Sequence, residues 1–258
     1  MLSLLRKFRH GLLKERQFGT YLLYAAGEIL LIIVGILAAL WIDGWNQQRQ
    51  EAQREAFYLE GLRNEFQLSL TKLDTLIAVN RKTYDTSREI LKRIPGVETR
   101  QEEAALGGLL IEALSYEIQY NPNNSLLREM INSGRLQILS DPELRQRLTS
   151  WEPTLESVNR QESNLRNIRE QVMDVFLGPE GSILAIIQDA GITSRYLGEG
   201  IQFREHSNLP LLQSLEFENK LIVFIVTSEG TESNFYLPIR EGIVEILQRI
   251  DEALKSSR

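Results

Sequence analysis

One acidic side chain stands inside a stretch that has no other charge. From Tyr21 to Ile42 the chain reads YLLYAAGEILLIIVGILAALWI, with Glu28 about 10 Å along a helix from Tyr21. A charge at that depth in hydrocarbon costs roughly 2 to 3 kcal/mol on insertion scales, so Glu28 is expected to be protonated or partnered. On a helix Tyr24, Glu28, Leu31, Gly35 and Ala38 or Ala39 share one face, with Gly27 beside the carboxyl. Small residues there let a second helix approach closely. Two kinds of chemistry follow: a protonated carboxyl hydrogen-bonding across an oligomer, which we favour, or a group that couples a proton or a signal to a membrane partner.

A second candidate lies in the segment from Gly191 to Pro210, which lacks a clear period. Arg195, Arg204 and His206 there offer positive charge to an anionic ligand, although a lone histidine in a polar loop is most often simply exposed. The chain has no GxSxG elbow, no Walker-type phosphate loop and no HExxH pair, and Gly198-Glu199-Gly200 is too short for a dinucleotide fingerprint. With no cysteine and two histidines, disulfides, thiolate zinc sites and three-histidine metal sites are excluded. We therefore expect no catalytic residues, no cofactor and no metal. A net charge of -6, with acidic and basic residues interleaved at helical spacing, argues against nucleic acid as a partner.

The elements that position these residues start with the apolar run. About twenty-two residues at ~1.5 Å each cross a hydrocarbon core of roughly 30 Å. A cleaved signal peptide fits worse, because its apolar region is shorter and ends in small residues, whereas Trp41, Ile42, Asp43, Gly44 and Trp45 follow here. Phe18 and Tyr21 on one side and Trp41 and Trp45 on the other sit where two headgroup layers would fall. Arg6, Lys7, Arg9, Lys14 and Arg16 precede the run, and only Arg49 and Arg54 follow at comparable distance. Positive charge stays in the cytoplasm. The expected organisation is a basic cytoplasmic N-terminus over residues 1–20, a transmembrane helix over 21–42, and an extracytoplasmic, periplasmic helical domain over 43–258 of a bacterial inner-membrane protein. Met1 to Lys14 also has the spacing of an amphipathic helix that could lie on the inner leaflet; equally, its charges could serve only to set topology.

Beyond the run, Asn46 to Ile94 lacks proline and carries Phe57, Leu59, Leu62, Phe66, Leu70, Leu73, Leu76 and Ile77 in one stripe, so it continues the helix, with Gly44 as a possible hinge and Pro95-Gly96 as the stop. Further helices are expected over Gln101 to Tyr120, Ser125 to Asn132 with asparagine caps, from Ser140-Asp141-Pro142-Glu143 onward, from Thr154 to Leu177, Ser182 to Ala190, and Glu232 to Lys255. LIVFIVT at 221–227 has strand propensity. With no second such segment to pair with, we read it as a helix buried on most sides. The fold class is mainly α: one N-terminal transmembrane helix followed by an extracytoplasmic antiparallel helical bundle.

The run LLYAAGEILLIIVGILAALWIDGWN, preceded by KERQFGTY, resembles the signature of a family of small single-pass membrane proteins, mostly from Bacteroidota, catalogued as a domain of unknown function. SGRLQILSDPELRQRLTSW resembles that family's second recurring stretch. The resemblance implies topology, a helical exterior and a bacterial source, and no activity. The expected function is a scaffold or interaction module in contact with the lipid bilayer, assembling with itself or with another envelope membrane protein. The alternative is an extracytoplasmic sensor or proton-coupled accessory subunit that acts through a membrane partner.

Overall fold

The computed structural model describes residues 17–200 and 205–256, and every regular element among them is helical. The chain divides into two compact units, one up to Ala56 and one from Phe57 onward. A single helix, α1, runs from Gln17 to Arg93 without interruption at Gly44. Proline is absent from it, and Lys92 and Arg93 place positive charge at its C-terminal end before Pro95 turns the chain through a short 3-10 turn, Ile94–Gly96. Within the first unit α1 supplies one stretch long and apolar enough to cross a membrane.

In the second unit α1 buries one stripe, Leu59, Leu62, Phe66, Leu73, Ile77, Tyr84 and Ile90. Besides a second short 3-10 turn, Arg135–Ile138, nine helices and a π turn follow it among the described residues. These are α2 (Arg100–Leu114), α3 (Ser125–Asn132), α4 (Pro142–Thr149), α5 (Trp151–Leu177), α6 (Ile183–Asp189), α7 (Thr193–Leu197), α8 (Leu209–Leu212), α9 (Leu215–Thr231), a π turn (Glu232–Tyr236) and α10 (Leu237–Ser256). The result is a helical bundle in which α5 lies against α9, α2 against α6 and α4 against α10. Phe66 meets Trp151 edge-on at 5.1 Å between ring centroids, and Phe176 meets Phe217 at 5.3 Å. Gly107 permits the α2–α6 approach, since a Cβ there would meet the Ala190 nitrogen at 2.9 Å.

Several local expectations are corrected by tertiary contacts. The second helix ends at Leu114 rather than Tyr120, because the following segment is held extended by other elements: Arg169 donates to the Tyr116 carbonyl at 2.5 Å and the Tyr120 N–H donates to Glu162 at 2.8 Å. The cap of α4 is Asp141, not Ser140; its carboxylate accepts from the Glu143 and Leu144 N–H groups. The reciprocal capping box lies instead at Thr99 and Glu102. No asparagine side chain caps α3, whose Leu126 and Leu127 N–H groups donate to Glu65 of α1 at 2.6 and 3.1 Å. LIVFIVT is helical within α9, as read, yet only one side is buried: Ile222, Val223 and Val226 are 40%, 50% and 62% exposed.

Candidate functional site

The sequence points first to the apolar part of α1, and the helix there places the named residues as their spacing requires. Tyr24, Glu28, Leu31, Gly35, Ala38 and Ala39 are all exposed. A side chain built on Gly27 or Gly35 would meet nothing within 4 Å. Trp41 and Trp45 are 76% and 59% exposed on the same helix. The surface around Glu28 is thus apolar, interrupted by small residues, and uncovered by the described residues. Arg6, Lys7, Arg9, Lys14 and Arg16, with the rings of Phe18 and Tyr21, fall outside the described residues.

Of the three ligand candidates, the two that are described make separate contacts. The His206 ring nitrogen Nε2 lies 3.0 Å from the Glu180 carbonyl, and the Arg195 guanidinium sits over its neighbour Tyr196 at 5.6 Å. Arg204 lies outside the described residues.

The bundle contains a buried polar layer that sequence reasoning missed. Glu162 of α5 is 1% exposed, and its Oε1 accepts from the Tyr120 N–H at 2.8 Å and from the Tyr236 hydroxyl at 2.9 Å. Tyr120 in turn donates its hydroxyl to the Ser69 carbonyl of α1 at 3.1 Å. About three turns along α1, the Asn80 amide donates to the Ser228 carbonyl at 2.9 Å, and Glu232 takes the Arg81 guanidinium and the Tyr84 hydroxyl. Burial pushes the Glu162 carboxyl above the usual glutamate range, against the opposing hydrogen bonds from Tyr236 and Tyr120 and the charge of Arg166. Burial also raises the phenols of Tyr120 and Tyr236. These bonds tie α1, α5 and the π turn together and set their register, while Asn80 Oδ1 and Ser228 Oγ have no hydrogen-bond partner among the described residues.

One signal in the sequence marked part of this layer. Glu162 occupies a core position in the run Leu155, Val158, Glu162, Leu165, a charged residue where the stripe calls for an apolar one. The π turn also has a signature. The buried positions Phe217, Leu221, Phe224, Ser228 and Thr231 resume as Tyr236, Ile239, Ile243, Ile246 and Ile250, one residue late, and the π turn absorbs the extra residue. Pro238 sits just after it, where the wider turn relieves the clash of a proline ring with the carbonyl four residues earlier.

Residues 28–154 match the model of a family of unknown function, DUF6090. The match starts at Glu28 and covers most of the apolar stretch, α2 to α4 and the start of α5, just under half of the chain. It includes SGRLQILSDPELRQRLTSW, one of the two runs that carried the resemblance, and all but the first six residues of the other. No curated protein and no solved structure matches the chain.

Proposed function

We propose that the chain is a single-pass protein of a bacterial inner membrane, with residues 1–20 cytoplasmic, 21–42 spanning and 43–258 forming a periplasmic helical domain. Its role is that of a scaffold that assembles with itself or with another envelope membrane protein, and it carries no reaction of its own. The two runs that resemble a Bacteroidota family support such a source. The reading rests chiefly on one observation: the face holding Tyr24, Glu28, Gly35, Ala38 and Ala39 is exposed and has open space at its glycines, although a carboxyl in hydrocarbon needs a bonding partner. No described residue covers this face, and we infer that the partner comes from outside the chain. The same carboxyl favours a second reading, a sensor or proton-coupled accessory subunit. In that case Glu28→Gln should preserve assembly while abolishing the phenotype that the gene complements.

The orientation is tested by cysteine labelling, which the cysteine-free sequence makes clean. Cysteines placed at Ser3 and Ser256 should differ: only the second should react with an impermeant maleimide once the outer membrane is permeabilised. Labelling of the first alone would reverse the topology.

A further inference from the structure

A groove of about 620 Å³ opens in the bundle where the α4–α5 junction faces the π turn and the start of α10. Gln146, Ser150 and Trp151 line one side, and Asn234, Phe235 and Gly242 the other. Three features of this groove work against stability. The π turn replaces regular helix at the residues that supply Asn234 and Phe235, and such turns recur at functional sites. Gly242 lies inside a twenty-residue helix where a Cβ would meet nothing within 4 Å, so packing does not require glycine, and alanine would favour the helix. Trp151 is 4% exposed and its indole N–H has no acceptor among the described residues. Each departure becomes intelligible if the groove is kept open for an occupant that brings hydrogen-bond acceptors.

The lining narrows the chemistry. Arg147 is paired with Glu245, and Glu143 with Arg249, so the two charges on the wall are already neutralised. The Ser150 and Thr154 hydroxyls donate to the Gln146 and Ser150 carbonyls at 3.0 and 2.8 Å, which leaves their oxygens to accept. The amides of Gln146 and Asn234 can both donate and accept. Phe235, half-buried, offers an apolar ring surface. A helical peptide would want a continuous apolar groove, and an extended one a sheet edge, neither of which is present among the described residues. The geometry points to a neutral, hydroxyl-rich ligand of oligosaccharide size: its hydroxyls meet the acceptors, its ring oxygens the amides, and its C–H face Phe235. The volume suits such a ligand.

The test uses the full chain with Trp41→Phe and Trp45→Phe, so that Trp151 is the sole fluorophore of the three tryptophans. A phosphocholine detergent is used, because a maltoside headgroup would itself compete. N,N′-diacetylchitobiose, maltotriose and trialanine are titrated. At least one sugar should change Trp151 emission saturably. Gly242→Leu, which projects a side chain into the groove from a position whose Cβ has open space, and Asn234→Ala should each weaken that binding by about tenfold or more, with helical content and melting temperature not lowered. Absence of a saturable response to both sugars, equal binding by both variants, or a response to trialanine alone would each overturn the assignment.

Discussion

Along α1 one helix carries two surfaces that differ in what their polar groups can reach. Between Leu22 and Ile42 the apolar side chains are exposed all round, and Glu28 stands among them. From Leu59 to Ile90 only one stripe is apolar and it is buried, and Glu162 of α5, one of three glutamates buried in the bundle among the described residues, receives two hydrogen bonds from its own chain. In the bundle, water on one side and a core on the other divide the sequence into stripes. A span has no such division, because lipid is as apolar as leucine. On the proposed reading, the bundle pairs most of its buried polar groups itself, whereas the span depends on a group from outside it.

The comparison can be broken most forcefully from the bundle side. Phe217 is fully buried edge-on against Phe176. Phe217→Ala should lower unfolding free energy in urea by about 3 to 5 kcal/mol while leaving crosslinking of the span unchanged; a loss below about 1 kcal/mol would show that the bundle does not depend on this core. A smaller loss is expected from Glu65→Ala, which strips α3 of the carboxylate on its first N–H groups, and about 0.5 to 2 kcal/mol is expected from the value of such caps.

The pH dependence sharpens the contrast. Burial raises the folded-state carboxyl of Glu162, so the protonated form is the one the fold prefers. Its contribution to stability is complete below the ordinary glutamate value near 4.3 and is lost as pH rises through the raised folded value. Glu162→Gln does not titrate and can still accept from Tyr120 and Tyr236. The stability of the variant relative to the wild type should therefore grow as pH rises above the ordinary glutamate value. A difference independent of pH would mean that Glu162 titrates normally. The smallest effect is a gain: Gly242→Ala should stabilise α10 by about 0.5 to 1 kcal/mol, read as a raised melting temperature, and a loss would mean that the position packs more tightly than its open space indicates.

Much of this was legible in order of chain. The length of the apolar run, the stop at Pro95-Gly96, the helix Ser125–Asn132 and the left-handed Gly134 that follows it all obey local rules. What escaped depends on contacts made at a distance. Nothing near Leu114 ends a helix; the segment after it is extended because Glu162 and Arg169, far along the chain, claim its backbone groups. Glu65 caps a helix sixty residues away, which no capping pattern reveals. In α9 the β-branched run suggested burial on most sides, whereas a helix in a bundle buries about half of its surface and leaves Val223 and Val226 outside. In the apolar run the sequence named a face, and Tyr24, Glu28, Gly35, Ala38 and Ala39 are exposed on α1.

The account stands or falls on whether Glu28 finds its partner outside the chain. Single cysteines placed in turn from Leu30 to Ala39 in native membranes should give crosslinked adducts, to a second copy or to another membrane protein, whose yield peaks about every 3.6 residues on the face of Tyr24, Glu28 and Gly35. Glu28→Gln should keep the pattern. Glu28→Leu should weaken it by about 1 kcal/mol, roughly fivefold, for each interhelical bond lost, and Gly35→Leu should weaken it by blocking close approach. Adducts without a period, or a pattern that Glu28→Leu leaves intact, would contradict the claim.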